Sequence, residues 1–327
     1  MGRSHVVVSG ARPTGRLHLG NLHGALKGWL ELQTVHECYF FVADWHALTT
    51  DYAEPGAVGE STLEMVLDWL AVGLDPSRCA LFQQSAVKEH AELFLLLAML
   101  TPVPWLERNP TYKEQREALA GRDLSTLGFL GYPVLQAADV LMYKATAVPV
   151  GVDQAPHIEL AREIARRFNH LYRPIFPEPE TMLTSSPKIL GTDGRKMSKS
   201  YQNAVYLTEP PEEVTAKLSR MVTDPRRARR HDPGEPADCP VYTSLHRIYS
   251  TPDELAWQEQ GCRTAGIGCL ECKQVTIRHV LADLEAIRTR RERLRADDAR
   301  DALATGNRRA REVAQRTMGE VREAMGL

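Results

Sequence analysis

Short apolar runs alternate with longer amphipathic segments through the first half of the chain. The runs are continuous rather than alternating in polarity, which is typical of strands covered by helices on both faces. After the first run, Leu22, Leu26 and Trp29 recur at the spacing of one helix face. Strand, helix and strand in repetition predict a doubly wound parallel sheet, an α/β fold. The predicted strands are residues 5–8, 37–43, 79–82 and 147–150.

The second half of the chain has a different pattern. Prolines at residues 174, 177 and 179 interrupt the alternation, and no further strand pattern follows them. Helical periodicity dominates instead, so the second unit is predicted to be helical. The segments with this period are residues 211–221, 252–261, 272–293 and 297–325.

Composition narrows the class of protein. The chain has 327 residues, 43% apolar and 25% charged, with a net charge of -2, which indicates a globular protein rather than a disordered one. This length favours two domains. The longest apolar run, residues 93–100, is far shorter than the roughly 20 residues that cross a bilayer. With no secretory leader pattern at the N-terminus, we expect a cytoplasmic protein without a membrane span.

Charge is unevenly distributed in the C-terminal half. Residues 217–231 contain six basic side chains and one acidic one, and residues 263–295 contain eight and four. Such stretches suggest a surface for a polyanion, although a solvated helix face explains an isolated charge run equally well.

Four of the six cysteines fall within one short region, with twenty-two, six and two residues between them. Four thiolates in one region suit a structural zinc ion or a 4Fe-4S cluster. Spacing alone does not choose between them, and zinc is the commoner chemistry for such a set. The four are Cys239, Cys262, Cys269 and Cys272.

A glycine-rich turn over residues 9–21 joins the first strand to the first helix. Glycines let backbone approach a phosphate, and a helix start offers unpaired N–H groups to an anion. His18 and Asn21 are three residues apart in the first turn and could both donate to phosphate oxygens. For a lone histidine a purely structural role is the commoner one, but this context favours the phosphate site.

A second glycine-flanked loop, residues 191–200, carries Lys196 and Lys199. A compact ammonium on a flexible stem suits a group that follows moving phosphate charge. Chance could also place two lysines there. The evidence for a phosphate site becomes strong because this loop follows the first motif in the expected order and at the expected separation.

Residues 13–21 resemble the HIGH motif, and residues 196–200 are the KMSKS motif, of class I aminoacyl-tRNA synthetases. Residues 132–139, 151–154 and 157–160 resemble the bacterial tryptophanyl-tRNA synthetase family, and the similarity covers nearly the whole chain. The resemblance implies a Rossmann-type catalytic domain at residues 1–200 and a helical anticodon-binding domain with the cysteines at 201–300. It also implies a terminal helix at 301–327 that packs back on the catalytic domain.

The resemblance implies a two-step reaction. L-Tryptophan attacks ATP, with Mg²⁺, to give tryptophanyl-adenylate and pyrophosphate, and the acyl group passes to tRNA(Trp). The residues it assigns to catalysis are His18, Asn21, Lys113, Lys196 and Lys199. The residues it assigns to ATP are Arg12, Thr14, Gly15, His18, Gly20, Asn21, Gly151, Asp153, Lys196, Met197, Ser198 and Lys199.

Substrate choice follows from the same resemblance, which makes Asp139 the acceptor for the indole N–H. The residues assigned to tryptophan are Val8, Gly10, His46, Tyr132, Gln136, Asp139 and Gln154. Val8, Gln136 and Val152 differ from the phenylalanine, methionine and glutamate of well-known bacterial members, which affects the pocket lining.

A subset of these enzymes carries the same cysteine spacing around a 4Fe-4S cluster, so the resemblance favours iron over zinc. Family members are homodimers, and residues 93–106 with Phe129 and Leu130 offer apolar surface for an interface or for the core. Two other functions stay open. One is a different nucleotidyltransferase that adenylylates a small acid, and the other is a non-catalytic paralogue that binds tRNA or a protein.

Overall fold

A five-stranded, fully parallel sheet forms the centre of the N-terminal half. The computed structural model describes residues 4–53, 56, 58–110, 112–114, 124–183 and 188–327. The strands are ordered β3-β2-β1-β4-β5, which confirms the predicted doubly wound α/β fold. Their bounds are β1 Val6–Ala11, β2 Glu37–Val42, β3 Cys79–Gln83, β4 Ala147–Val150 and β5 Glu180–Leu183.

Two differences from the predicted strands bear on the site. β1 continues to Ala11, so the first residues of the predicted phosphate turn belong to the strand. β5 was not predicted, because it is a four-residue edge strand that follows directly on the prolines at 177 and 179. β5 is defined instead by its pairing with β4, in which Val148 lies opposite Thr181.

Helices fill both faces of the sheet and make up the C-terminal region, as predicted. No described helix is long and apolar enough to cross a membrane. The N-terminal helices are α1 Leu19–Asn21, continued by a π-helical turn Leu22–Leu26 into α2 Lys27–Leu32, then α3 Asp44–Asp51, α4 Val58–Val72, α5 Glu89–Leu100, α6 Val103–Glu107, α7 Leu127–Met142 and α8 Ala155–Leu171. The C-terminal helices are α9 Pro211–Arg220, a π-helical turn Val241–His246 into α10 Arg247–Tyr249, α11 Pro252–Arg263, α12 Cys269–Arg293 and α13 Ala296–Met325.

Two hydrophobic clusters occupy the two faces of the sheet. Val7 and Phe40 belong to one, and Val8 and Phe41 belong to the other. Successive strand residues point to opposite faces, and both faces are covered. This explains why the strands are continuous apolar runs in the sequence.

The last helix, α13, lies directly on β3. The backbone N–H of Gln83 donates to Asn307 Oδ1 at 2.9 Å, and Gly306 lies so close that a Cβ there would be 1.8 Å from the Leu81 carbonyl oxygen. Because α13 begins at Ala296, the division predicted at residue 300 falls inside this helix.

Part of the apolar surface considered for a subunit interface is core instead. Phe129 is fully buried in a small cluster with Leu124 and Tyr132, and Leu130 is partly buried against the cluster that contains Val8 and Phe41. The exposed apolar side chains of this region are Leu95, Met99, Val103 and Leu127.

Candidate active site

The turn that carries His18 is anchored from two sides. His18 is the N-cap of α1, and its backbone N–H donates to Asn21 Oδ1 at 3.0 Å. The carboxylate of Asp68, buried on α4, accepts from the Leu17 N–H at 2.8 Å. On the other side, Leu19 N–H donates to the Val205 carbonyl at 3.0 Å, just after the lysine loop. These contacts hold the turn and the lysine loop together.

The lysine loop reaches the turn directly. The Lys199 ammonium donates a short hydrogen bond to the Thr14 carbonyl. Gly15 has a φ of +82°, and a Cβ there would lie 3.2 Å from Lys199 Nζ, so the position favours glycine on both counts. Met197 is buried beside Gly20, whose added Cβ would lie 3.7 Å from the Met197 Cβ. The two motifs therefore meet in space, 185 residues apart in the case of Thr14 and Lys199.

Charge at this contact suits an anion. Burial, together with the nearby charges of Lys199 and Lys196, lowers the pKa of His18 to about 4. Burial also lowers the pKa of Lys199 to about 8, against the attraction of Asp68. His18 is therefore neutral at pH 7 and keeps one ring N–H to donate. Among the described residues, its buried Nδ1 has no hydrogen-bond partner.

A cavity of about 360 Å³ opens beside the turn, at the carboxyl ends of β1 and β4. The strand order reverses between these two strands, and ligands of open parallel sheets bind at such a point. Every residue predicted to contact tryptophan lines this cavity, as do Arg12 and Gly151. The wall also includes Trp29, Phe41 and Val150, which make it largely apolar.

Asp139 is the buried charge of the cavity wall. Its Oδ2 lies 2.8 Å from His46 Nε2, and its Oδ1 lies 2.6 Å from His90 Nδ1. Gln84 Nε2 donates to both oxygens, at 2.8 and 2.9 Å. Burial raises the pKa of Asp139, but its hydrogen bonds with His46 and His90 outweigh burial and hold the pKa below its usual value. An ionised carboxylate can only accept hydrogen bonds.

Tyr132 and Gln154 stand at another part of the wall. The Tyr132 hydroxyl lies 3.2 Å from His157 Nε2, and burial raises the pKa of Tyr132 above its usual range. Gln154 Nε2 donates to Asp153 Oδ2 at 3.1 Å. Both predicted residues therefore present polar atoms beside the cavity.

The other residues predicted to bind ATP differ in what they contact. Arg12 donates to Thr50 Oγ1 and Asp51 Oδ2 at 2.5 and 2.8 Å, so α3 holds it. Ser198 N–H donates to Asn203 Oδ1 at 2.8 Å. Lys113 is exposed, and the described contacts do not join it to the turn or to the lysine loop.

Residues 2–284 match the family described as tRNA synthetases class I (W and Y). The chain belongs to this family. The tryptophan–tRNA ligase of Thermotoga maritima is 51% identical and that of Aquifex aeolicus 46%, each over 98% of this chain and 99% of the relative.

Solved structures give the same family. The tryptophanyl-tRNA synthetase of Campylobacter jejuni, complexed with ADP and tryptophan, is 31% identical with a TM-score of 0.86, covering 98% of this chain and all of that one. A tyrosyl-tRNA synthetase of Archaeoglobus fulgidus, 21% identical with a TM-score of 0.66 over 89% of this chain and 90% of that one, shares the fold.

Three residues around Asp139 escaped the sequence analysis of this synthetase: Gln84, His90 and Tyr143. Gln84 directly follows β3, so the rule that ligands gather at strand ends could have found it. Tyr143 lies four residues after Asp139, directly after the last residue of α7. No pattern in the sequence singles out His90, which comes to Asp139 only through the packing of α5 on α7.

The four clustered cysteines line one small cavity in the C-terminal half, together with Arg227 and Gln258. Burial, with the three other cysteines, raises the pKa of Cys272 to about 12. Arg227 is buried, and its guanidinium lies 3.9 Å from Cys262 Sγ and donates to the Ile267 carbonyl at 2.8 Å. Within the described residues, no three or more His, Cys, Asp or Glu side chains form a group ready to hold a metal ion.

Proposed function

We propose that this chain is a tryptophan–tRNA ligase that forms tryptophanyl-adenylate from L-tryptophan and ATP and then charges tRNA(Trp). The observation that carries the proposal is the contact between the His18 turn and Lys199 beside a cavity whose wall holds a buried carboxylate. Relatives that span nearly the whole chain at 46% and 51% identity are tryptophan–tRNA ligases. A structural neighbour binds ADP and tryptophan.

In the first step, a carboxylate oxygen of tryptophan attacks the α-phosphorus of ATP, and the bond to the bridging oxygen of pyrophosphate breaks. His18 and Asn21 would hold phosphate oxygens at the start of α1, where the helix N-terminus favours an anion. Lys196 and Lys199 would neutralise the charge that grows on departing pyrophosphate. Mg²⁺ bound with ATP would share that charge. This chain supplies positioning and charge rather than a covalent intermediate.

Asp139 would select the amino acid. The indole N–H can only donate, and an ionised carboxylate can only accept, so tryptophan pairs with it and phenylalanine leaves it short of a partner. A site built around such a bond rejects analogues that lack the donor. Tyr132 and Gln154 would hold the ammonium and carboxylate groups of the substrate.

In the second step, the acyl group passes to the terminal adenosine of the tRNA, and adenosine monophosphate leaves. The helical region from α9 onward would bind the anticodon, and the reaction would take place in the cytoplasm, where tRNA is charged.

Tryptophan-dependent exchange between ATP and labelled pyrophosphate tests the first step, and charging of tRNA(Trp) tests the second. We expect exchange with tryptophan to exceed exchange with phenylalanine by several orders of magnitude. Exchange that depends on another small acid would point to a different nucleotidyltransferase. Binding of tRNA without any exchange would point to a non-catalytic paralogue.

We also propose that Cys239, Cys262, Cys269 and Cys272 hold a 4Fe-4S cluster. Four thiolates are the donor set of such a cluster, and all four cysteines line one cavity. Their side chains would have to converge when the cluster binds, because the described residues hold no ready group of metal ligands. Arg227 and Lys273 are both buried beside them, and two cations would offset the net negative charge of a cluster held by four thiolates. When bound, the cluster would tie the segments around Cys239 and Cys262 to the start of α12.

Iron and sulfide analysis of the anaerobically purified protein tests this proposal, with four of each expected per chain as in any such cluster. Cys239→Ser should lower both contents, whereas Cys38→Ala, in β2, should leave them unchanged because Cys38 is packed in the sheet core. One tightly bound zinc ion with no sulfide would contradict the cluster.

A further inference from the structure

Two buried side chains, His90 and Tyr143, form a chain of hydrogen bonds that ends at Asp139, and we call this chain the relay. His90 is fully buried and is not part of the cavity wall, yet both nitrogens of its ring are hydrogen-bonded. Nδ1 lies 2.6 Å from Asp139 Oδ1, and Nε2 lies 2.7 Å from the Tyr143 hydroxyl. We infer that His90, oriented by Tyr143, positions the Asp139 carboxylate for the indole N–H and so sets the preference for tryptophan. This inference rests on the proposed tryptophan–tRNA ligase function.

The direction of these hydrogen bonds follows from the Asp139 carboxylate, which can only accept, so His90 Nδ1 donates to it. Burial raises the pKa of Tyr143 well above its usual range, so the hydroxyl keeps its proton and can donate a hydrogen bond to His90 Nε2. A neutral imidazole with an acceptor at Nε2 carries its hydrogen on Nδ1. His90 is thereby fixed in the tautomer that donates to Asp139.

Counting donors shows what the relay leaves for substrate. A carboxylate has about four lone-pair sites. Gln84, His46 and His90 supply three donor groups to Asp139, with the Gln84 amide shared between both oxygens, which leaves at most one acceptor site for a ligand. A single remaining site in a buried wall suits one N–H donor.

The relay is also rigid. The Tyr143 ring stacks on Tyr39 with centroids 4.6 Å apart and meets Phe82 edge-on at 5.3 Å. His90 lies 6.0 Å from Phe82, so aromatic rings fix its orientation as well. If the carboxylate turned, its hydrogen bond to His90 would break and the buried Nδ1–H would lose its partner. An unpaired buried donor is costly.

Four variants separate this positioning role from a role in stability alone. His90→Leu removes the donor, and His90→Asn keeps an N–H close to the place of Nδ1. Tyr143→Phe removes only the hydroxyl and is the mildest change, which keeps the test usable where His90→Leu fails to fold. Tyr39→Phe is the matched control, because its hydroxyl donates to Glu37 and not to the relay.

Each variant is assayed by pyrophosphate exchange with tryptophan and with an analogue whose benzothiophene ring has the shape of indole but no N–H. His90→Leu should raise KM for tryptophan by about 10- to 100-fold, with a smaller change in kcat. Its KM for the analogue should hardly change, because the analogue makes no bond to Asp139. His90→Asn should restore most of the loss, Tyr143→Phe should fall between, and Tyr39→Phe should match the unaltered chain.

Equal losses for tryptophan and the analogue, in either His90→Leu or Tyr143→Phe, would overturn the inference and assign His90 to stability. So would a His90→Asn variant no better than His90→Leu. Absence of tryptophan-dependent exchange in the unaltered chain is a separate result, because it would reject the ligase function itself.

Discussion

At the scale of single residues, neighbours rather than residue type decide what the site can do. Lys199 is half-buried against the His18 turn, and this burial lowers its pKa to about 8. The same contact keeps His18 neutral, because burial and both lysines oppose its protonation. The site thus combines a neutral donor with a cation whose charge depends on pH near neutrality.

Lys199→Ala should lower kcat for pyrophosphate exchange by about 10²- to 10³-fold, because the charge it supplies is needed mainly as pyrophosphate departs. Tryptophan affinity, measured by calorimetry, should change little. Lys188→Ala removes an exposed lysine near the same loop and is the control. Equal losses in rate and in tryptophan affinity would count against the assigned role.

The rate should also depend on pH through Lys199. A lysine with a lowered pKa is charged below that pKa and loses its charge above it, so kcat/KM for ATP should fall as pH rises through about 8. His18, with a pKa of about 4, should add no inflection between pH 5 and 7. Lys199→Arg keeps its charge to higher pH, so its profile should stay flat where the unaltered chain declines.

At the scale of elements, the contact between α13 and β3 depends on one missing side chain. Gly306 lies against the Leu81 backbone, which belongs to the sheet and cannot move aside. Glycine lowers helix stability, so its benefit at this position is the close approach of α13 to β3.

Gly306→Ala should lower the free energy of unfolding by about 1–3 kcal/mol or more, because the new Cβ overlaps backbone. Gly319→Ala, on an exposed part of the same helix with nothing within 4 Å, should raise it by roughly 0.5–1 kcal/mol. Urea unfolding monitored by circular dichroism measures both. A Gly306→Ala protein as stable as the original would mean that α13 can shift on β3.

At the scale of the whole molecule, apolar side chains remain exposed on neighbouring elements. Met99 is 71% exposed at the end of α5, Leu127 is 81% exposed at the start of α7, and Val103 on α6 is also exposed. Exposed apolar patches on globular proteins mark interaction sites. We expect a second copy of this chain to cover this patch in a homodimer.

Met99→Asp combined with Leu127→Asp should shift the protein from dimer to monomer in analytical ultracentrifugation, because two buried charges oppose association. Val35→Asp places a charge at an exposed apolar position in the turn before β2 and should leave the assembly unchanged. A monomer at all concentrations before mutation would reject the dimer.

The basic stretch at residues 217–231 is only partly available to tRNA. Arg227 is buried and Arg226 pairs with Asp224 and Asp238, whereas Arg229 is exposed. Arg229→Ala should weaken tRNA binding and reduce the slope of log affinity against log salt by about 1, if its side chain contacts a phosphate. Arg300→Ala on α13 is the control, and filter binding over a salt series measures both. An unchanged slope would place the tRNA elsewhere.

The sequence by itself determined four strands of the sheet, most helices and the family, because these depend on local periodicity and on two short motifs. Buried strands are continuous apolar runs and amphipathic helices have a 3.6-residue period, so both are visible without tertiary knowledge. The edge strand β5, only four residues after a proline-rich stretch, was missed because its pairing with β4 defines it.

Tertiary structure alone decided which side chains share an environment. His90 contacts Asp139 although 49 residues separate them in the sequence. Phe129 could have belonged to an interface or to the core, and the structure places it in the core. The placement of Lys199 on Thr14 likewise sets a pKa that no local pattern contains. Burial and partner identity arise from packing of distant segments, and they determine the electrostatics on which the proposed chemistry depends.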